Sequence, residues 1–195
     1  MQFAFKLIIL LTFSFSSSLH HFTYEGKING VEKISFDLGE VRLSKEDSHY
    51  KFDYNYTGYV MEEGMPELPI FSTFIEIEPG FDYSVNYTVI KTQSHKNRPI
   101  KAAAELTLDK DKHNQGLKRI LEVETIFPNS QVKISEPMVM RGLEVINLEV
   151  TPFSFNPSNN ELISFNIIDL EIIKVNSRQE IRSRVINKNI LDDEI

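Results

Sequence analysis

From Val31 onward, apolar residues recur at every second position far more often than at the helical spacing of about 3.6 residues. That period places side chains alternately on a buried and a solvated face of strands. Phe71, Thr73, Ile75 and Ile77 alternate with Ser72, Phe74, Glu76 and Glu78, and Tyr83, Val85, Tyr87 and Val89 alternate with Ser84, Asn86 and Thr88. Pro79-Gly80 between the two runs predicts a turn. Leu121, Val123 and Thr125 predict a further strand, ended by Phe127-Pro128-Asn129-Ser130, after which Val132 and Ile134 open the next. Leu143 and Val145 pass to Ile146, Leu148 and Val150 with a one-residue slip of phase, and Ile163, Phe165 and Ile167 pass to Ile168, Leu170 and Ile172 in the same way. Each slip predicts a β-bulge, so two long bulged strands are expected to form a hairpin around Pro157-Ser158-Asn159-Asn160. The fold class is all-β, an antiparallel, jelly-roll-like β-sandwich.

Three stretches depart from the alternation. Between Lys91 and Arg119, Lys, Asp, Asn, His and Gln crowd around a short Ala102-Ala103-Ala104-Glu105-Leu106 piece, which reads as a long excursion from the sandwich. Loops of that length are either functional or plain solvated insertions, and composition does not choose between them. From Asn176 to Ile195 alternation is lost and Arg178, Arg182, Arg184 and Lys188 precede Asp192, Asp193 and Glu194, the pattern of a linker or tail. At the other end, Lys6 precedes an apolar run from Leu7 to Phe15 and then Ser16-Ser17-Ser18. A basic start, an apolar segment too short to span a bilayer and small residues after it predict a secretory signal peptide over 1–18. The domain proper is then 19–175, followed by the 176–195 tail, with export to the periplasm, cell surface or medium and no stable membrane insertion after cleavage.

Composition narrows the function. With 195 residues, 41% of them hydrophobic, the chain is long enough for one packed core. A formal charge of -7 leaves nothing to attract phosphate backbones, so nucleic acid is not an expected partner. The absence of cysteine rules out disulfides, thiolate zinc sites and a thiol nucleophile within the chain. The histidines at 20, 21, 49, 95 and 113 accompany no Gly-x-Ser-x-Gly elbow and no phosphate-binding loop, so no catalytic residue, metal site or cofactor is expected. His20 and His21 read as solvated residues at the frayed new N-terminus. Asp109, Asp111, His113 and Asn114 imitate the opening of a calcium loop, but Asn114 stands where Gly is required and Ile120 where Glu is required. Tyr50, Phe52, Tyr54 and Tyr56 share one face and Tyr59 the other, which reads as a core face in preference to a carbohydrate-stacking platform. Asn55-Tyr56-Thr57 and Asn86-Tyr87-Thr88 match glycosylation acceptors, a weak pattern.

Two stretches are more specific than periodicity. Gly64-Met65-Pro66-Glu67-Leu68-Pro69, the strand to Ile77, Pro79, Tyr83 and Val85 form the first. Phe127-Pro128, Pro137, Arg141-Gly142-Leu143, Val145, Leu148, Val150, Pro152, Phe155-Asn156-Pro157 and Leu162 form the second. In order and spacing they resemble the propeptide domain that precedes gingipain-type cysteine endopeptidases, over about residues 25 to 175, with Phe127 and Phe155 where Tyr is expected. The residues themselves have structural roles: Pro66 and Pro69 lack an amide donor and fix φ, and Gly142 permits backbone geometry that a side chain would block.

The resemblance implies a β-sandwich prodomain that assists folding of a cysteine peptidase catalytic domain, keeps it latent by covering its cleft and is then removed, acting in cis or in trans. It also implies a basic residue offered to the peptidase's specificity pocket, for which Arg98, Lys110, Lys112, Lys118 and Arg119 are the candidates. Arg98 precedes Pro99, and a bond to proline resists cleavage. Arg178, Arg182 and Arg184 are the candidate processing-linker residues. With no catalytic domain before Ile195, the chain reads as a truncated precursor or a free-standing inhibitor. The competing reading is a secreted β-sandwich binding module for carbohydrate or a surface protein.

Overall fold

The computed structural model describes residues 21–60, 65–101 and 126–177. Twelve strands make up the described fold: β1 (Phe22–Ile28), β2 (Val31–Asp37), β3 (Leu43–Glu46), β4 (His49–Phe52), β5 (Gly58–Tyr59), β6 (Pro69–Glu76), β7 (Phe81–His95), β8 (Val132–Ile134), β9 (Met138–Met140), β10 (Leu143–Val150), β11 (Phe153–Asn156) and β12 (Glu161–Ser177). They form two five-stranded antiparallel sheets and one small hairpin. The first sheet runs β1-β2-β12-β11 with β7 on the other side of β12; the second runs β5-β6-β10-β8 with β9 also on β10; β3 pairs with β4. The fold is all-β, and the described residues contain no helix.

Both sheets contribute to one core. Ile34, Phe36, Ile168, Leu170 and Ile172 from the first meet Phe71, Ile146, Leu148 and Val150 from the second. Phe36 and Phe71 touch across the two layers, ring centroids 5.5 Å apart in an edge-on arrangement that suits the quadrupoles of aromatic rings. Alternation produces this directly, since every second side chain of each strand faces inward.

The Pro79-Gly80 turn is present, with Gly80 at φ 85, a backbone conformation that favours glycine. It does not close a hairpin: β6 lies in the second sheet and β7 in the first, so the turn carries the chain between layers. A second crossing in the same direction occurs between β10 and β11, beside Pro152.

Several expectations are corrected. Strand structure begins at Phe22, not Val31; β1 escapes notice because its register shifts between Tyr24 and Gly26, breaking the alternation. The excursion does not begin at Lys91, because β7 continues to His95 and Lys91, Thr92, Gln93, Ser94 and His95 all pair with β12. Lys91 to Ser94 are polar because both faces of the strand are exposed there, while the ladder holds the backbone. The bulge expected in β12 is there, with register shifts against β7 around Ile167. The one expected in β10 is not: its register with β6 is continuous from Val145 to Val150. The phase slip arises because Val145 and Ile146 are both buried, although they point to opposite faces. The hairpin around Pro157 joins β12 to the short β11, since β10 belongs to the other sheet. β12 also extends to Ser177, past the expected strand limit at 175. The strand expected at Leu121, Val123 and Thr125 lies outside the described residues.

Candidate functional site

The chain leaves the sandwich after β7 and returns before β8, and both points are fastened with care. On the outgoing side, Asn97 takes a left-handed φ of 55, after which the Arg98 amide donates to Asn160 O at 3.0 Å. The Tyr50 amide donates to Pro99 O at 2.8 Å, Ile100 forms a parallel bridge with Tyr50 and is buried, and the Glu67 amide donates to Lys101 O at 2.8 Å. On the returning side, Phe127 and Phe155 exchange both backbone hydrogen bonds, at 3.0 and 2.8 Å, and both rings are buried. Asn160 and Phe155 belong to the β11–β12 hairpin, so the same hairpin holds both ends of the excursion.

Arg98 itself is half-buried. Its guanidinium lies over the Tyr50 ring at 4.7 Å and donates to the Tyr50 hydroxyl at 3.2 Å. Its charge adds to the effect of burial in holding the His95 imidazole below its ordinary pKa: desolvation acts first and repulsion from Arg98 second. Arg98 is thus placed at the root of the excursion and engaged by its own fold. Lys110, Lys112, Lys118 and Arg119, like Arg178, Arg182 and Arg184, lie outside the described residues. The role of Tyr50 as a platform for Arg98 was not legible in the sequence, because the period-two pattern marks Tyr50 only as a core-facing residue.

The aromatic row is not a sugar platform. Phe52 and Tyr54 are buried, and the Tyr54 ring packs against Phe71 and Phe153. The Tyr54 hydroxyl donates to Glu40 O at 2.7 Å and accepts from the Arg42 amide at 2.8 Å, and its burial raises its pKa. Tyr56 is hydrogen-bonded to Tyr59, and burial first, then that contact, pushes Tyr56 up to about 12. His21 is also corrected: far from solvated, its ring packs 4.6 Å from Phe71 and its Nδ1 contacts Asp37 O at 2.8 Å.

One constellation imitates catalytic chemistry. His95 Nε2 lies 3.2 Å from Ser164 Oγ, and Asn166 Oδ1 accepts from the same hydroxyl at 2.9 Å. Ser164 is fully buried in the middle of the first sheet, so no substrate reaches it, and the arrangement serves to satisfy buried polar atoms. Among the described residues no group of His, Asp and Glu is arranged to hold a metal ion, and no helix is long and apolar enough to cross a membrane.

The described residues form a two-sheet antiparallel sandwich whose chain is held by backbone hydrogen bonds on either side of residues 102–125. The Propeptide_C25 family model matches residues 28–194, most of the chain, and the chain belongs to that family. The fold is similar to that in the complex of Porphyromonas gingivalis RgpB pro- and mature domains, with a TM-score of 0.66 at 14% identity, covering 81% of this chain and 86% of that one. It is also similar to a structure describing the zymogenic latency of gingipain K from Porphyromonas gingivalis, with a TM-score of 0.65 at 16% identity, covering 80% and 93% respectively. No curated protein matches the chain.

Proposed function

We propose that this chain is the non-catalytic prodomain of a secreted gingipain-type cysteine endopeptidase, which helps the catalytic domain fold and holds it latent by covering its active-site cleft. The observation that carries this reading is the family match over residues 28–194, together with the anchoring on one hairpin of the chain on both sides of residues 102–125. The two similar structures concern a pro- and mature-domain complex and zymogenic latency, which agrees with it.

Within this reading residues 1–18 direct export, and the arginines at 178, 182 and 184 lie where processing separates the prodomain from what it guards. The residue offered to the specificity pocket is one of Lys110, Lys112, Lys118 and Arg119. Arg98 is the weaker candidate, because entering a pocket would cost its contacts with Tyr50. In cis the covalent link raises effective concentration, so modest contacts suffice; in trans, nanomolar inhibition requires about 12 kcal/mol.

The test is to add the purified chain, without residues 1–18, to gingipain-type peptidases of arginine and of lysine specificity and to follow hydrolysis of small basic substrates. Saturable inhibition of one of them is expected, with one substitution among Lys110→Ala, Lys112→Ala, Lys118→Ala and Arg119→Ala weakening it about 100-fold, as loss of a central anchor does. A folded chain that inhibits neither would overturn the proposal.

A further inference from the structure

The two sheets do not close on each other along one side. There β1 and β6 face each other across a groove of about 680 Å³, with a floor of Phe22, Ile34, Ile75 and Ile77. Tyr24 and Phe74 stand at its margins, 61% and 53% exposed. Both flanking strands have open edges among the described residues. β1 pairs with β2 alone, and β6 beyond Ile70 pairs with β10 alone. The Ile77 amide donates to Glu144 O in line with the β10 ladder, so the intervening Phe74 and Glu76 turn their backbone groups the other way, toward the groove. An apolar trough beside an unpaired strand edge is the geometry that accepts an added strand.

We infer that the occupant is the chain's own C-terminal segment, residues 178–188, added as a strand along β6. Three observations select it. β12 ends at Ser177 opposite Phe81, and Lys174 Nζ contacts Glu78 Oε2 at 2.8 Å, so the segment sets out from the Glu78–Pro79 end of the groove. Glu76 lines the groove beside Glu32 and Glu78, which Lys27 and Lys174 already engage, and residues 178–188 carry Arg178, Arg182, Arg184 and Lys188 against Glu180, with Ile181, Val185 and Ile186 to cover the apolar floor. The length also fits: at about 3.3 Å per residue the segment reaches about 36 Å, more than the roughly 20 Å from Thr73 to Pro79. The family match, which runs to residue 194, includes this segment with the domain. Seated there, Arg178, Arg182 and Arg184 would be withheld from peptidases until the strand lifts off. The inference concerns the chain alone and stands or falls separately from peptidase inhibition.

The experiment uses the chain without residues 1–18 and exploits its lack of cysteine. Glu76→Cys is combined in turn with a cysteine at each position from 178 to 186, the pairs are oxidised, and products are identified by mass. In parallel, amide hydrogen exchange is read at Phe74 and Glu76, with Ile168 and Leu170 as controls for folding. A cross-link within one molecule to at least one of these positions is expected, together with exchange at Phe74 and Glu76 slowed about tenfold or more at every protein concentration. The charge reversals Glu76→Arg and Glu78→Arg should abolish both effects and speed tryptic cleavage at Arg178 to Arg184, with core exchange unchanged. Cross-links between molecules only, or protection that grows with protein concentration, would identify a second copy as the occupant and overturn the inference. Unprotected amides, or protected amides with no cross-link to 178–186, would overturn it as well.

Discussion

The two margins of the sandwich are built on opposite principles. On leaving and returning the chain is held by backbone hydrogen bonds, Arg98 to Asn160 and Phe127 to Phe155 on the β11–β12 hairpin, and Pro99 to Tyr50 and Lys101 to Glu67 beside it. Along the β1–β6 side, strand edges are left unpaired among the described residues, and Tyr24 and Phe74 are exposed. The contrast teaches that rigidity in this fold is local. On the proposed function, the chain between these anchors presents a side chain to a peptidase and gains from a root that does not move, because a mobile root costs ordering entropy on binding. A groove that receives a strand needs the reverse, an edge that can be paired and unpaired.

The sharpest way to break the rigid margin is Phe155→Ala. It removes a fully buried ring at the point where the returning chain is held, and should cost about 3–5 kcal/mol in urea unfolding, with inhibition of the peptidase lost in proportion to the unfolded fraction. A finer cut is Tyr50→Leu, which keeps apolar bulk but removes the ring face and hydroxyl that engage Arg98. A loss of about 1 kcal/mol is expected, with the sandwich intact by circular dichroism. If inhibition weakens by more than that stability loss accounts for, the orientation of the projecting segment depends on this contact.

His95 gives a pH test of the same margin. Its folded pKa lies below the ordinary value of about 6.5 because burial and then Arg98 disfavour the imidazolium. The unfolded chain therefore binds the proton more readily, so stability is fully present above pH about 6.5 and falls as pH drops through that value toward the depressed folded pKa. His95→Gln should flatten that slope in urea midpoints measured from pH 7.5 to 5. The smallest effect belongs to the open margin. Glu76→Arg, at an exposed position on a strand edge, should change global stability by under about 0.5 kcal/mol in a chain cut after Ser177, where no seated segment is lost. A larger loss would mean that this side is as tightly built as the hairpin end.

Much of this was readable from residue order. Period-two alternation identified the strands that face the core, since inward residues such as Phe71, Leu148 and Leu170 are the apolar ones. The turn at Pro79-Gly80 announced itself through residues suited to its backbone. Alternation fails where pairing alone makes a strand: Lys91 to His95 are held by the β12 ladder with no apolar signal, and β1 is obscured by its shift at Gly26. It misleads where both faces are buried, as at Val145 and Ile146, which mimic a bulge in a continuous strand.

The sequence by itself determined the class of structure, the residues of the core and the family resemblance, because these rest on local periodicity and on short runs of fixed spacing. Only the tertiary structure decided which strands share a sheet, that β6 and β7 part company at their turn, that His21 and Arg98 are engaged by aromatic rings, and which edges stay open. Those depend on contacts between residues far apart in the chain, and a backbone hydrogen bond carries no signature in the side chain of the residue that makes it.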